Sequence, residues 1–181
     1  NRVAQRLIQL LAENTELGIA YRVDMRLRPD GGQGTLCWRV DSALAYYDLR
    51  GRTWERQAYI KARPIAGALE LGRDYLTRLE PWVYRRYLSL ADITGIKTLK
   101  RRIEKRSIDA GKSDNDVKTG HGGIRDIEFV LQFLQLLNGG VEPRVRTGNT
   151  IEAIEQLEHA GVLTHQERGL LEENYCFLRK L

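Results

Sequence analysis

Hydrophobic residues in the first dozen positions recur at helical spacing. Val3, Leu7, Leu10 and Leu11 fall on one face of a helix expected over 3–12. The period then changes. Ile19, Tyr21, Val23, Met25 and Leu27 alternate with polar residues and occupy one side of a predicted strand, leaving Arg22, Asp24, Arg26 and Arg28 on the other. Pro29 and the run Asp30-Gly31-Gly32-Gln33-Gly34 end that strand in a turn. Thr35 to Val40 reads as a second strand, so the glycine turn predicts a hairpin. Asp41 or Ser42 then caps a helix running to Arg50, with Gly51 as its stop.

Beyond Gly51 the apolar positions keep a helical period. Trp54 to Arg63 is one predicted helix, ending near Pro64 and Gly67. Glu70 to Leu90 carries Leu71, Tyr75, Leu79, Trp82 and Val83 on one pattern, and Pro81 predicts a kink or a split there. Ile93, Ile96, Leu99 and Ile103 mark another helix. Arg106 to Gly122 is polar, glycine-containing and without an apolar period, which predicts a mobile loop. Ile124 to Leu137 has so little polar surface that it is expected at the centre of the core. Asn149 with Glu152 caps a helix reaching His159, and Thr164 with Glu167 forms a capping box for the last helix. The fold class expected is α+β and mostly α-helical, a small strand-containing region followed by a helical domain.

Composition changes this picture little. The 181 residues are 42% hydrophobic and 29% charged, as in an ordinary globular protein. No apolar run of about 18 residues is present to span a membrane. The chain opens on an amphipathic helix without a signal-peptide pattern or a starting Met, which suggests a piece of a longer protein. Cys37 and Cys176 lie far apart and show no metal or redox spacing, so a reduced, cytoplasmic setting is the simplest expectation. His121, His159 and His165 form no zinc pattern. Charge says more. A net charge of +5 and a pI of about 9.3 favour an anionic partner. Lys97 to Arg106 is the dense basic cluster, readable as a solvated helix face or as a nucleic-acid patch.

Three segments hold candidate chemistry. On the predicted strand, Asp24 stands among arginines. Such a carboxylate can hold a cation while the arginines face phosphate, or the set can be local ion pairs on an edge strand. In Asp116-Val-Lys-Thr-Gly-His-Gly-Gly-Ile-Arg-Asp-Ile-Glu-Phe129 a glycine loop feeds an apolar helix. Backbone amides at Gly120, Gly122 and Gly123, with Lys118 and Arg125, could bind phosphate. The same pattern also suits a glycine hinge whose acidic residues stabilise the helix dipole. The third segment, Gly51 to Arg63, could line a nucleotide pocket or be a charged surface helix. Walker and dinucleotide fingerprints are absent, as are Ser/His/Asp and Cys/His arrangements.

These segments, in this order, resemble the glutamine-synthetase adenylyltransferase family. The matching stretches are Tyr21-Arg-Val-Asp-Met-Arg-Leu-Arg-Pro29, Thr53-Trp-Glu-Arg-Gln-Ala58, Lys61-Ala-Arg63 with Gly67, Lys118-Thr-Gly-His-Gly-Gly-Ile-Arg-Asp-Ile-Glu-Phe129 and Tyr175-Cys-Phe-Leu-Arg179. The family adds AMP to a tyrosine of glutamine synthetase with one half and removes it by phosphorolysis with the other. Pro81-Trp-Val-Tyr-Arg-Arg-Tyr-Leu88 and Gly120 to Glu128 look more like the AMP-removing, N-terminal half.

The resemblance implies that 1–68 is the C-terminal part of a nucleotidyltransferase-like catalytic domain, a remnant of its sheet, and that 69–181 is a helical domain. It implies Asp24 as a catalytic carboxylate and Mg²⁺ ligand, matching the third carboxylate of that family's site. Arg26, Arg28, Lys118, Gly120, Gly122 and Gly123 become phosphate or nucleotide contacts. The implied partners are glutamine synthetase, a PII-type regulatory protein, ATP or ADP, and inorganic phosphate, with no membrane. The Gly-Ser and Asp-x-Asp elements of the family's signature have no counterpart here, so the isolated chain is expected to be inactive. The alternatives are the AMP-adding half, or a basic helical module that binds nucleic acid or protein.

Overall fold

The computed structural model describes residues 1–85, 93–95, 98, 101, 116–118 and 120–181. Most of the helix expected from Ile93 to Ile103, the basic cluster Lys97 to Arg106 and most of the loop Arg106 to Gly122 lie outside the described residues. Among the described residues the chain is mostly helical, with one small antiparallel sheet. The residues form two compact units, Asn1–Gly51 and Arg52–Leu181.

In the first unit, α1 spans Arg2–Ala12 and α2 spans Val40–Arg50, close to their expected bounds. The sheet pairs Asn14–Thr15 with Gly18–Ile19, in register Asn14 with Ile19 and Thr15 with Gly18. The strand expected from Ile19 to Arg28 is not formed beyond Ile19, and Thr35 to Val40 forms no second strand. The hairpin expected around the 30–34 turn is therefore absent. A ladder needs a neighbouring backbone as well as alternating side chains. Here side chains engage the backbone instead. Asp24 accepts the Arg26 amide, the Arg28 guanidinium binds the carbonyls of Gly32 and Gly34, and the Trp38 indole N–H binds the Thr35 carbonyl. The apolar side of the alternation stays open, with Tyr21, Met25 and Leu27 exposed.

The second unit is helical. α3 covers Thr53–Tyr59, α4 Leu69–Val83, α5 Ile124–Asn138, α6 Thr150–His159 and α7 His165–Leu178. Pro81 sits inside the last turn of α4, and the helix continues to Val83 rather than breaking at the proline. A core forms where α5, α6 and α7 meet, from Ile127, Leu131, Val145, Ile154, Leu157 and Leu163. Each such aliphatic side chain contributes about 1.5–3 kcal/mol when removed from water.

The cap expected at Asp41 or Ser42 is not formed, because α2 already starts at Val40 behind Arg39 and Asp41 lies inside its first turn. The other two expected caps are present. Asn149 Oδ1 accepts the Ile151 and Glu152 amides, and Thr164 and Glu167 satisfy each other's backbone N–H groups. Buried Gln135 donates its amide to the carbonyls of Val145 (2.7 Å) and Thr147 (2.8 Å), pinning the α5–α6 connection to α5. The contacts divide the chain at Gly51, whereas the sequence reading set a division at 68. The difference arises because α3 packs on α4 and α5.

Candidate functional site

Asp24 and Arg26 form the most tightly defined polar pair of the first unit. Arg26 Nε donates to both carboxylate oxygens, at 2.9 and 3.0 Å, and Nη2 donates to Oδ2 at 2.6 Å. The Arg26 backbone N–H adds a bond to Oδ1 at 3.0 Å. These bonds hold the Asp24 carboxyl down at about pH 2, below its ordinary value, and nearby Arg22 acts in the same direction. The pair is open to solvent, so it is an ionised surface motif rather than a buried dyad.

Arg28 does something else. Its Nε donates to Gly34 O at 3.2 Å, and its Nη2 donates to Gly32 O at 3.2 Å and Gly34 O at 2.9 Å. Its Nη1 donates to Met25 O. One guanidinium thus holds the 29–34 turn together. Asp30 enters that turn in the left-handed region at φ 57° and pairs with Arg50 at 3.6 Å. Gly34 is required by close approach, since a Cβ there would lie 2.1 Å from Pro29 O. The alternation that placed Arg28 beside Asp24 fails at this residue, because the chain turns and its carbonyls converge on the guanidinium.

A divalent ion wants several oxygen ligands. Asp24 offers one carboxylate, and both of its oxygens are already engaged by Arg26. No group of three or more His, Cys, Asp or Glu side chains suited to a metal occurs among the described residues. The described residues alone do not fit Mg²⁺.

Lys118, Gly120, Gly122 and Gly123 lie in the second unit, before α5. Their amides are already committed within the chain. Gly120 N–H donates to Asp116 O, Gly123 N–H to Gly120 O, and Gly122 N–H to Asp126 Oδ2 at 2.9 Å. The Lys118 amide donates to Asp116 Oδ1 at 2.9 Å. The next amides, of Ile124 and Arg125, reach back to Val117 O and Lys118 O. Gly123 is buried, and a Cβ on it would lie 2.6 Å from Val117 O. This is the geometry of a hydrogen-bonded turn closed on a helix N-terminus, where Asp126 supplies the negative charge that the dipole favours. An incoming phosphate would compete with Asp126. The side chains of Lys118 and Arg125 sit on exposed residues.

A second polar junction joins three stretches that matched separately at the sequence level. Lys61 Nζ donates to Thr150 Oγ1 at 2.7 Å and lies 3.9 Å from Glu128 Oε1, and Tyr175 OH donates to the same Glu128 oxygen at 3.2 Å. Sequence reasoning singled out Lys61 and Glu128 without pairing them and did not mark Thr150, and it gave no site role to Arg146 and Tyr84, which line the same cleft as Lys61. Their signal was one of two arginines in a connection and an aromatic at a helix end, neither informative without the fold.

Comparisons with known proteins give two family models for successive parts of the chain and relatives, matched over essentially the whole chain, that share one description. The model of glutamate-ammonia ligase adenylyltransferase matches residues 1–78, and that of GlnD PII-uridylyltransferase matches residues 96–181. The chain is 43% identical over 180 residues to a bifunctional glutamine synthetase adenylyltransferase/adenylyl-removing enzyme of Hahella chejuensis, covering 99% of the chain and 19% of that protein. Relatives with the same description in Mesorhizobium japonicum and Rhizobium meliloti are 41% and 43% identical over 100% and 98% of the chain. The chain spans about a fifth of the length of these relatives.

Proposed function

The chain belongs to the glutamine synthetase adenylyltransferase family, and we propose that it forms part of an enzyme that removes AMP from adenylylated glutamine synthetase. The observation that supports membership of such an enzyme is identity above 40% along essentially the whole chain to bifunctional relatives, whereas the choice of the AMP-removing half rests on two sequence stretches. In phosphorolysis an oxygen of inorganic phosphate attacks the adenylyl phosphorus in line. The bond from phosphorus to the tyrosyl oxygen breaks, that oxygen takes up a proton, and ADP leaves. The AMP-removing half is favoured over the AMP-adding half by the stretches around Pro81 and Gly120 to Glu128. Mg²⁺, the cofactor expected for this chemistry, needs carboxylates besides Asp24.

Within this reading each part of the first unit has a task. Arg26 keeps Asp24 ionised and oriented. Arg28 fixes the turn that follows, acting as a positioning residue. Exposed Arg26 can also meet phosphate oxygens bidentately when it exchanges its partner. The glycines before α5 form a hydrogen-bonded turn, with Lys118 as the exposed cation beside it. Glutamine synthetase is the proposed protein substrate. The helical surface matched by the PII-uridylyltransferase model is the proposed contact for a PII-type protein, with ATP or ADP as nucleotide.

The test is phosphate-dependent release of ADP from adenylylated glutamine synthetase by the longer enzyme that carries this segment. Asp24→Asn is expected to lower turnover by at least about tenfold while leaving the fold unchanged, since Asp24 is exposed. Full activity in that variant rejects the role of Asp24. ATP-dependent addition of AMP with no phosphate-dependent removal assigns the segment to the other half.

A further inference from the structure

The second unit contains a cleft of about 500 Å³ with a mixed polar and apolar lining, within the usual size range of small-molecule sites. Its floor is apolar. Leu79 and Val83 are buried there, beside Leu76. Tyr59 and Tyr84 add ring surface. Tyr59 is fixed through a 2.8 Å bond to the Tyr75 hydroxyl and an edge contact with Trp82. Burial pushes the Tyr84 hydroxyl up to about 12, so this ring adds no negative charge near neutrality.

The rim is cationic. Lys61, Arg63 and Arg146 line it against one carboxylate, Glu80. Two of these cations are held in place by groups that leave donors over. Lys61 Nζ has three N–H donors and gives one to Thr150 at 2.7 Å, with Glu128 3.9 Å away. Arg146 has five. It gives one to Gly139 O at 2.7 Å and one to Glu80 at 3.1 Å, and its guanidinium lies over the Tyr84 ring at 5.3 Å. Arg63 is exposed on the same rim. Counting both nearby carboxylates, Glu80 and Glu128, against the three cations leaves a positive excess above an apolar floor.

We propose that this cleft binds a nucleoside phosphate, with phosphate oxygens on Lys61, Arg63 and Arg146 and the base against Tyr59, Tyr84 and the aliphatic floor. The site is built entirely from the helical unit and uses neither Asp24 nor the glycine loop. It therefore goes beyond the proposed phosphorolytic reading and stands or falls separately from it. Prepositioned cations reduce the ordering cost of binding an anion, and the adjoining apolar surface distinguishes a nucleotide from bare phosphate.

The experiment is calorimetric titration of the 181-residue chain with ATP, ADP, AMP, pyrophosphate and inorganic phosphate. Saturable nucleotide binding is expected, tighter than that of the inorganic anion with the same number of phosphates. Arg63→Gln removes a charge-assisted contact and is expected to weaken binding about tenfold. Asn149→Asp puts a negative charge at the cleft edge while keeping an equally good helix cap, and it is expected to weaken binding with an unchanged far-UV spectrum. No saturable nucleotide binding overturns the proposal, as does binding that Arg63→Gln and Asn149→Asp leave intact. Pyrophosphate binding as tight as ADP overturns the assignment of a base subsite.

Discussion

The helices Arg2–Ala12 and Thr150–His159 are both amphipathic, yet they use their apolar faces differently. In the first unit Val3, Leu7 and Leu10 are 83%, 57% and 56% exposed, and the helix has no buried residue. In the second unit Ala153, Ile154 and Leu157 are at most 1% exposed. Local spacing is enough to make each helix and to set its stripe. Burial requires a facing surface. Thr150–His159 has two, the helices Ile124–Asn138 and His165–Leu178, both packed against it in one core. Within the first unit only Pro29, Ala43 and Tyr47 are buried. Most helical stability in proteins comes from packing of such a face rather than from propensity. The two units should therefore respond unequally to the same substitution.

Truncation in the two stripes tests this directly. Leu157→Ala removes a fully buried side chain from the core and is expected to cost about 2–5 kcal/mol in urea unfolding of the second unit. Leu7→Ala is expected to stay within about 0.5 kcal/mol, because its side chain is largely in water already. Equal losses at the two positions would break the comparison, since they would mean that the stripe of the first helix is packed in solution.

A smaller effect separates polar from apolar support within the second unit. Gln135 is 2% exposed and binds two carbonyls of the connection leading to Thr150. Gln135→Leu keeps the volume but leaves both carbonyls without that donor, with an expected cost of about 1–3 kcal/mol. Faster amide exchange should appear in 143–149, while the interior of Thr150–His159 stays protected. A neutral result would show that solvent satisfies those carbonyls and that the connection is held by Val145 packing alone.

The same contrast sets what could be read from the chain. The stop of Val40–Arg50 at Gly51, the ends of Ile124–Asn138, the Asn149 cap and the Thr164–Glu167 box were legible, because each depends on residues within one or two turns. The strand from Ile19 to Arg28 was not, because its ladder would need a neighbouring backbone. In the candidate site, the two-residue spacing correctly put Asp24 and Arg26 on one side. It misplaced Arg28, whose partners are carbonyls gathered by the following turn. The amides of Gly120, Gly122 and Gly123 looked available for phosphate until their internal acceptors became visible. The contact of Lys61 with Thr150 and Glu128 joins residues far apart in sequence, and no spacing rule reaches it.

The smallest effect belongs to the exposed unit and concerns a titration rather than stability. Asp24 should titrate at about 2 instead of its ordinary 3.8, chiefly through the side-chain bonds from Arg26. A lowered folded-state value means that the contribution of the pair is fully present above the unfolded value. It is lost as pH falls through the folded value, so the window is strongly acidic and neutral pH lies outside it. Arg26→Gln removes the guanidinium but keeps the backbone N–H that also donates to Asp24. The carboxyl is therefore expected to move up toward 3.8 without quite reaching it, with no measurable change in unfolding at pH 7. Carbon-13 carboxyl shifts followed from pH 6 to pH 1.5 would read both values. A wild-type Asp24 that titrates with the other exposed carboxylates would show that water dissolves the pair in solution. Asp24 would then be a free surface carboxylate, already available to a cation without first displacing Arg26.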